Sequence, residues 1–236
     1  MDVACDNLIT ALKSAQYCDS EPVVVCNIIK ISLVNNVIYS ANAITARYGI
    51  SEKNAVKLLE QLNKIDADEN SRNAFRGETC LVTIPEFMNL IKTGGAYKSF
   101  FEWCLINKII EPVRARIDFI AYLKAMSAFD KLYVLFPWER QKEYIKIKEQ
   151  IPGYCFVSKS TISVFENVFP KYCMFMTDIA KLKLNLALRI YKERKGKYPD
   201  SLDDLKPSIL EKLPVNYTNG QEFFYKNNGS DFILKE

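Results

Sequence analysis

Apolar side chains recur at intervals of three and four residues along most of this 236-residue chain, and this helical period constrains its fold more than any other feature. The period is clear in the first stretch, from Asp2 to Tyr17, and in the longest, from about Pro170 to Lys195. Proline and glycine residues separate the stretches, as is usual at helix ends. We therefore predict a mainly α fold, a multi-helix globular protein with about eight helices.

The stretch from Pro22 to Ala46 is the most hydrophobic part of the chain. Asparagine side chains and Lys30 interrupt its apolar run, so we expect a helix at the centre of the core and no membrane-spanning segment. Asp2 and Asp6 stand where a signal peptide carries positive charge. Contact with a membrane is therefore expected only through an N-terminal anchor outside this sequence.

The C-terminal end of the chain follows a different pattern from the helical part. Gly196 stops the long helix, and residues 201–204 have the Ser-x-x-Asp pattern of a capping box. Two strand-like segments follow, Phe223–Lys226 and Asp231–Leu234, with Asn-Asn-Gly-Ser between them. The sequence therefore predicts a small C-terminal β-hairpin.

The change of pattern near residue 170 sets the predicted domain boundary. Residues 1–169 are expected to form a helical domain, and residues 170–236 a long helix with an α/β tail. Because two strands alone are marginally stable in water, we expect the tail to pack with the first domain as one unit.

The chain contains no histidine, the usual general base near neutral pH and the commonest metal ligand. This absence excludes Ser-His-Asp and Cys-His catalysis, HExxH zinc sites and two-histidine iron sites. The seven cysteines form no CxxC pair and are interpreted as buried small apolar residues, with one disulfide among Cys5, Cys18 and Cys26 as the alternative. We expect no metal site and no cofactor.

The distribution of charge argues against nucleic acid as a partner. The net charge is +4, from 32 basic and 28 acidic residues, and the excess is spread along the chain. A nucleic-acid-binding protein would carry a basic stripe on one face. The densest basic run, residues 192–197, is interpreted as the C-terminal end of a helix, where positive charge is favoured.

Paired carboxylates are the catalytic device that this composition still permits. Four acidic residues lie near apolar or aromatic residues and are the catalytic candidates: Glu78, Glu102, Asp118 and Glu139. Two buried carboxylates with separated pKa values can act as acid and base, as they do in glycoside hydrolysis. The alternative interpretation is charge on helix surfaces, or salt bridges to nearby arginine residues.

Aromatic residues supply the candidate binding surface. One cluster follows the flexible Thr-Gly-Gly joint at residues 93–95, and one further residue lies in the Phe-Pro-Trp-Glu-Arg segment that begins at Phe136. These five residues are Tyr97, Phe100, Phe101, Trp103 and Trp138. Because aromatic anchors dominate many protein interfaces, they indicate a protein partner or self-association.

The C-terminal segment resembles a tail that is common in bacterial envelope proteins. Residues 187–205 form an Ala/Leu-rich helix followed by Gly-x-Tyr-Pro-x-Ser-Leu-x-x-Leu, with Tyr198 and Pro199 at its centre. The major pseudopilins of type II secretion carry a similar tail, as do uncharacterised membrane-anchored proteins of planctomycete-like bacteria. The Arg-Gly-Glu sequence at residues 76–78 also looks like the uncharacterised group.

This resemblance covers about 50 residues of the chain and implies a location in the bacterial cell envelope, on the periplasmic side, with the cytoplasm as the alternative. The chain departs from the pseudopilin pattern in two places. Val215-Asn216 stands where the family usually has Asp-Pro, a region that binds calcium in pseudopilins. The apolar N-terminal helix with a glutamate at its fifth position is also missing, so the chain is not itself a pseudopilin.

The sequence thus favours a non-catalytic envelope or scaffold protein that binds other proteins. The missing catalytic residue types and the pseudopilin-like tail support this interpretation. The alternative is a histidine-free hydrolase or lyase that uses paired carboxylates, for example on a glycan.

Overall fold

The computed structural model describes residues 2–65, 67–93 and 107–236, which form nine α-helices and one β-hairpin. The helices are α1 Asp2–Gln16, α2 Val24–Tyr48, α3 Glu52–Asn63, α4 Ala67–Gly77, α5 Ile84–Thr93, α6 Asn107–Leu132, α7 Pro137–Glu149, α8 Phe156–Val164 and α9 Val168–Lys195. The strands are β1 Phe224–Asn227 and β2 Phe232–Lys235. A π-helical turn, Glu78–Thr83, connects α4 to α5. The predicted mainly α fold with a C-terminal hairpin is confirmed.

The chain divides into two compact units, each with its own hydrophobic core. The first unit comprises Met1–Glu21, Val25–Glu69 and Lys171–Glu236. The second comprises Pro22–Val24 and Asn70–Pro170. The C-terminal tail therefore groups with residues from the start of the chain.

Helix α9 is the centre of the first unit. Leu184 and Leu188 lie one turn apart on one side of the helix and Leu186 faces the opposite side, yet all three are fully buried. Leu12 of α1 and Leu58 of α3 belong to the same core. Because α9 is apolar on several sides, it forms only where other elements cover it.

Helix α2 packs into this core with one face only. Val34, Val37 and Ala41 are buried, whereas Val25 and Ile29 are exposed. The expectation that this helix lies at the centre of the core is therefore wrong for about half of its surface. Its apolar residues are not confined to one stripe, so the sequence alone does not show which side is covered.

Helix α2 also differs from the expectation that this stretch is not long and apolar enough to span a membrane. Among the described residues it is the one helix long and apolar enough to cross a membrane, with a mean hydropathy of 1.4 over 18 residues. Asparagine residues interrupt its apolar run but add no charge, so they do not exclude this helix by hydropathy and charge. Helices from the cores of soluble proteins pass the same test, and 33% of this window is buried inside the protein.

The second unit has an aromatic core beneath α6. Phe75 of α4 stacks on Phe169 with ring centroids 5.6 Å apart, and Phe129 of α6 stacks on Tyr144 of α7 at 4.5 Å. Rings at these separations contribute beyond their buried area. The α6 helix therefore organises this unit through aromatic contacts from its buried side.

The C-terminal tail forms the predicted capping box and hairpin. The Ser201 hydroxyl accepts a hydrogen bond from the Asp203 amide at 3.2 Å, and the Asp204 carboxylate accepts one from the Ser201 amide at 3.1 Å. Each strand begins one residue later than predicted, and the two strands pair antiparallel. The Tyr225 hydroxyl donates to the Pro199 carbonyl at 2.8 Å, which ties the hairpin to the Tyr-Pro segment.

Truncation of a buried α9 side chain tests the central position of this helix. We expect Leu186→Ala to lower the free energy of unfolding by about 2–5 kcal/mol, because it removes buried methyl groups and leaves a cavity. Urea denaturation measures this loss. The control is Met174→Ala, which truncates an α9 side chain that is 60% exposed and should cost less than about 1 kcal/mol. Equal losses in the two variants would contradict the central position.

Candidate functional site

Asp118 is buried on α6 and caps the N-terminus of α8, whose capped amides lie 39 and 40 residues later in the chain. Its carboxylate oxygens accept hydrogen bonds from the amides of Val157 at 2.9 Å and Ser158 at 2.8 Å. The Ser158 hydroxyl donates to the Asp118 carbonyl oxygen at 2.6 Å. A carboxylate at a helix N-terminus satisfies amides that the helix leaves unpaired and complements its dipole. This catalytic candidate therefore has a structural role.

The Arg-Gly-Glu segment at residues 76–78 is also structural in each of its residues. A Cβ at Gly77 would overlap the backbone carbonyl of Pro22, so only glycine fits this close approach. The Glu78 carboxylate accepts a hydrogen bond from the Val24 amide at 3.2 Å, at the first residue of α2. Glu78, a second catalytic candidate, thus supports the start of a helix.

Asp130 of α6 is the centre of an ion-pair cluster that the sequence did not predict. Arg72 and Arg76, one turn apart on α4, each donate two hydrogen bonds to its carboxylate at 2.7–2.9 Å. These guanidinium groups hold the pKa of Asp130 well below its usual range. The i, i+4 spacing of the arginines is visible in the sequence, but their partner lies more than 50 residues away.

The Phe-Pro-Trp-Glu-Arg segment places its arginine inside the protein. The Arg140 guanidinium is buried, donates to the Leu135 carbonyl at 2.9 Å and lies over the Tyr133 ring at 4.6 Å. Trp138 is half-buried and stacks on Phe136 at 4.8 Å. Arg140 therefore holds the loop between α6 and α7 in place.

The remaining sequence candidates are not brought together with these residues. Glu139 is exposed on the first turn of α7. Five candidates lie outside the described residues: Glu102, Tyr97, Phe100, Phe101 and Trp103. Cys5, Cys18 and Cys26 are free thiols and form no disulfide with one another.

The position equivalent to the pseudopilin calcium region does not fit a cation. The Asn216 amide oxygen accepts hydrogen bonds from the Thr177 hydroxyl at 3.1 Å, the Thr218 amide at 2.8 Å and the Thr218 hydroxyl at 2.5 Å. An oxygen that already accepts three hydrogen bonds has no lone pair directed at a cation. No group of three or more acidic or cysteine side chains suited to a metal occurs in the described parts of the chain.

A groove with a volume of about 360 Å³ on the second unit is the candidate binding site. Its walls are α6 and the segment from Ile147 to Cys155. Ile117, Ile120 and Tyr154 line it and are 44%, 52% and 72% exposed. Exposed apolar side chains that cluster in this way are typical of a binding surface.

The sequence alone does not show that these isoleucines are exposed. Ile117 and Ile120 form an apolar series at intervals of three with Leu123 and Met126, but of these four residues the structure buries Met126 alone. Tyr122 and Phe129, which are buried, share the side of the helix that carries Met126. Angular position around the helix, and not hydrophobicity, distinguishes the exposed isoleucines from the buried residues of α6.

Substitution of Asp118 tests its role as a cap. We expect Asp118→Ala to lower the free energy of unfolding by about 1–3 kcal/mol, because two buried amides of α8 lose their acceptor. Asp118→Asn keeps an acceptor oxygen and should cost less. The matched control is Glu139→Ala, an exposed acid in a first turn, with an expected loss below about 1 kcal/mol. Denaturant unfolding that ranks Asp118→Ala with Glu139→Ala would contradict the role.

The Asp130 cluster predicts a specific dependence of stability on pH. Because the folded-state pKa lies below the ordinary value of 3.8, the cluster stabilises the fold fully above that pH and loses its effect as the pH falls further. The side chain is 31% exposed, so solvent screening limits the effect to the order of 1 kcal/mol. The free-energy difference between wild type and Asp130→Asn should therefore be constant near neutral pH and shrink in acid. A difference independent of pH in acid would contradict it.

Comparisons with known proteins give no match, so the function is inferred from the residues of this chain. No protein-family model, no curated protein and no solved structure matches it. The resemblance of the C-terminal tail to pseudopilins stays a prediction. The groove on the second unit is the surface from which a function follows most directly.

Proposed function

We propose that this chain is a non-catalytic protein-interaction module whose groove on the second unit receives apolar side chains of a partner. The exposure of Ile117, Ile120 and Tyr154 inside one groove is the observation that carries this proposal. Burying these side chains against a partner would contribute about 25 cal/mol for each Å² of apolar surface removed from water. The groove is lined by α6 from Ile117 to Ala128, about three helical turns, which suits a peptide segment better than a compact metabolite.

The charges around the groove favour an acidic amphipathic helix as its occupant. Lys124 is the charged residue among those that line the groove. From residue 113 onward, the exposed charged side chains of α6 are Arg114, Arg116, Lys124 and Lys131, all of them basic. A helix with leucines on one face and glutamates beside them would match both the apolar walls and the basic side chains of α6.

The acidic residues offer less to catalysis than to structure. Asp118 and Glu78 accept hydrogen bonds from backbone amides at the starts of two helices, and Glu139 is exposed. A catalytic pair of carboxylates needs two acids that face one substrate site. No observation on the described residues favours the paired-carboxylate hydrolase or lyase over the interaction module.

The envelope location is part of the same proposal and rests on the resemblance of the tail. The motif around Tyr198 and Pro199 supports it, because the resembling segment folds as one structural element. Both residues contact the hairpin and hold it in place. The free thiols of Cys5, Cys18 and Cys26 fit a reducing compartment equally well. The cytoplasm is therefore the alternative location.

Peptide binding tests the groove. The probe is a fluorescein-labelled designed helix with leucines on one face and glutamates on the other, titrated with the whole chain and followed by fluorescence anisotropy. We expect Ile120→Asp to weaken binding at least about tenfold, because it puts a charge in the apolar wall. Lys124→Glu should weaken binding severalfold by charge repulsion.

The matched control for these variants is Val134→Asp, which changes a side chain that is 86% exposed outside the groove and should leave binding unchanged. A second probe in which lysines replace the glutamates should bind more weakly. Failure of the glutamate probe to bind, or equal binding by the wild type and Ile120→Asp, would refute the proposed function.

A further inference from the structure

Helix α2 carries an exposed face that runs along nearly its whole length. Exposed residues recur there with alternating intervals of four and three, the spacing of a seam between two paired helices. They are Val25, Ile29, Ser32, Asn36, Tyr39, Ala43 and Ala46. Ile28 and Leu33 flank this seam and are also exposed. The face therefore has the geometry of a helix-pairing surface, three heptads long.

This face carries no charge between Val25 and Ala46. Lys30 is the charged residue within this range, and it is buried with its ammonium 2.6 Å from the Asp19 carboxylate. A helix face in water normally carries charged side chains, so an uncharged face of this length indicates a surface that another structure covers.

We propose that the exposed face of α2 pairs with the same face of a second copy of this chain, antiparallel and around a two-fold axis. The surface belongs to the first unit, so this inference is independent of the groove on the second unit. A two-fold interface requires one surface to be complementary to itself, and three features of α2 meet that requirement.

The first feature is the distribution of side-chain size. The aliphatic residues Val25, Ile29 and Leu33 lie in the N-terminal half of the face, and the small residues Ala43 and Ala46 lie in the C-terminal half. Antiparallel pairing places the half with large side chains in one copy against the half with small side chains in the other. Large and small side chains facing each other allow two helices to approach closely without voids.

The second feature is polarity at the centre of the face. Ser32, Asn36 and Tyr39 occupy the middle of the seam. Antiparallel pairing brings the middle of one helix onto the middle of the other, where amide and hydroxyl groups can hydrogen-bond across the interface. A polar residue in such a seam favours one register over others.

The third feature is charge at the two ends. Glu21 precedes α2 and is exposed, and Arg47 is exposed at its C-terminal end. Antiparallel pairing puts Arg47 of each copy near Glu21 of the other, whereas parallel pairing would bring like charges together. The charges therefore favour the antiparallel arrangement.

A lipid bilayer fits the same face less well. Asn36 lies at its centre, and an asparagine amide buried in hydrocarbon without a partner costs several kcal/mol. A second copy supplies hydrogen-bonding partners for this amide, and lipid chains do not. A second protein chain therefore covers the uncharged face with less loss of hydrogen bonding than a bilayer does.

Sedimentation analysis of the whole chain at micromolar concentration tests this inference. We expect a mass twice the 27.2 kDa of one chain, and Ile29→Lys should raise the dimer dissociation constant at least about tenfold, because it buries a charge in the seam. The matched control is Met174→Lys, a similar change at an exposed apolar residue of α9, which should remain dimeric. Circular dichroism checks that each variant is folded.

A charge exchange tests the orientation. Glu21→Lys and Arg47→Glu should each raise the dissociation constant about fivefold, and the double variant should restore it. A monomeric wild type, or a dimer that Ile29→Lys leaves intact, would overturn the proposal, as would a monomer that floats with phosphatidylcholine vesicles through this face. Single exchanges without effect would overturn the antiparallel arrangement. None of these results depends on peptide binding in the groove.

Discussion

The burial of α9 is the interaction on which the first unit depends. Leu184 and Leu188 on one side of the helix and Leu186 on the opposite side are all buried, so α9 reaches solvent only along a narrow strip that includes Met174 and Asp178. The hairpin is too small to be stable alone, and it gains stability by packing Tyr225 and Phe232 against the same core. Both the N-terminal helices and the C-terminal tail therefore depend on one helix near the end of the chain.

Several charged side chains in the second unit satisfy backbone groups at helix ends and in loops. Asp118 binds the first amides of α8, and Arg140 binds a carbonyl of the loop after α6. An acid among apolar residues is also what a catalytic residue looks like in a sequence, which is why Asp118 and Glu78 were candidates. The difference lies in their partners, because the carboxylate oxygens of both residues accept hydrogen bonds from backbone amides at helix starts.

The exposed apolar side chains are the part of the molecule that a stable fold does not explain. Those of α6 line a groove that also contains Lys124, and those of α2 form an uncharged seam. Water favours polar side chains at both places, so we infer that partners cover these apolar ones. The groove suits an acidic helix, and the self-complementary seam suits another copy of the chain. From these two surfaces we propose a function in assembly.

The sequence by itself determined the helical architecture, the capping box at Ser201 and the hairpin, because each depends on residues within a few positions of one another. It also excluded histidine chemistry. Only the tertiary structure decided which face of α2 is covered, that Ile117 and Ile120 are exposed, and that Asp130 binds two arginines. These outcomes depend on residues that lie far apart in the chain, and an apolar period shows that a side chain can be buried without showing what buries it.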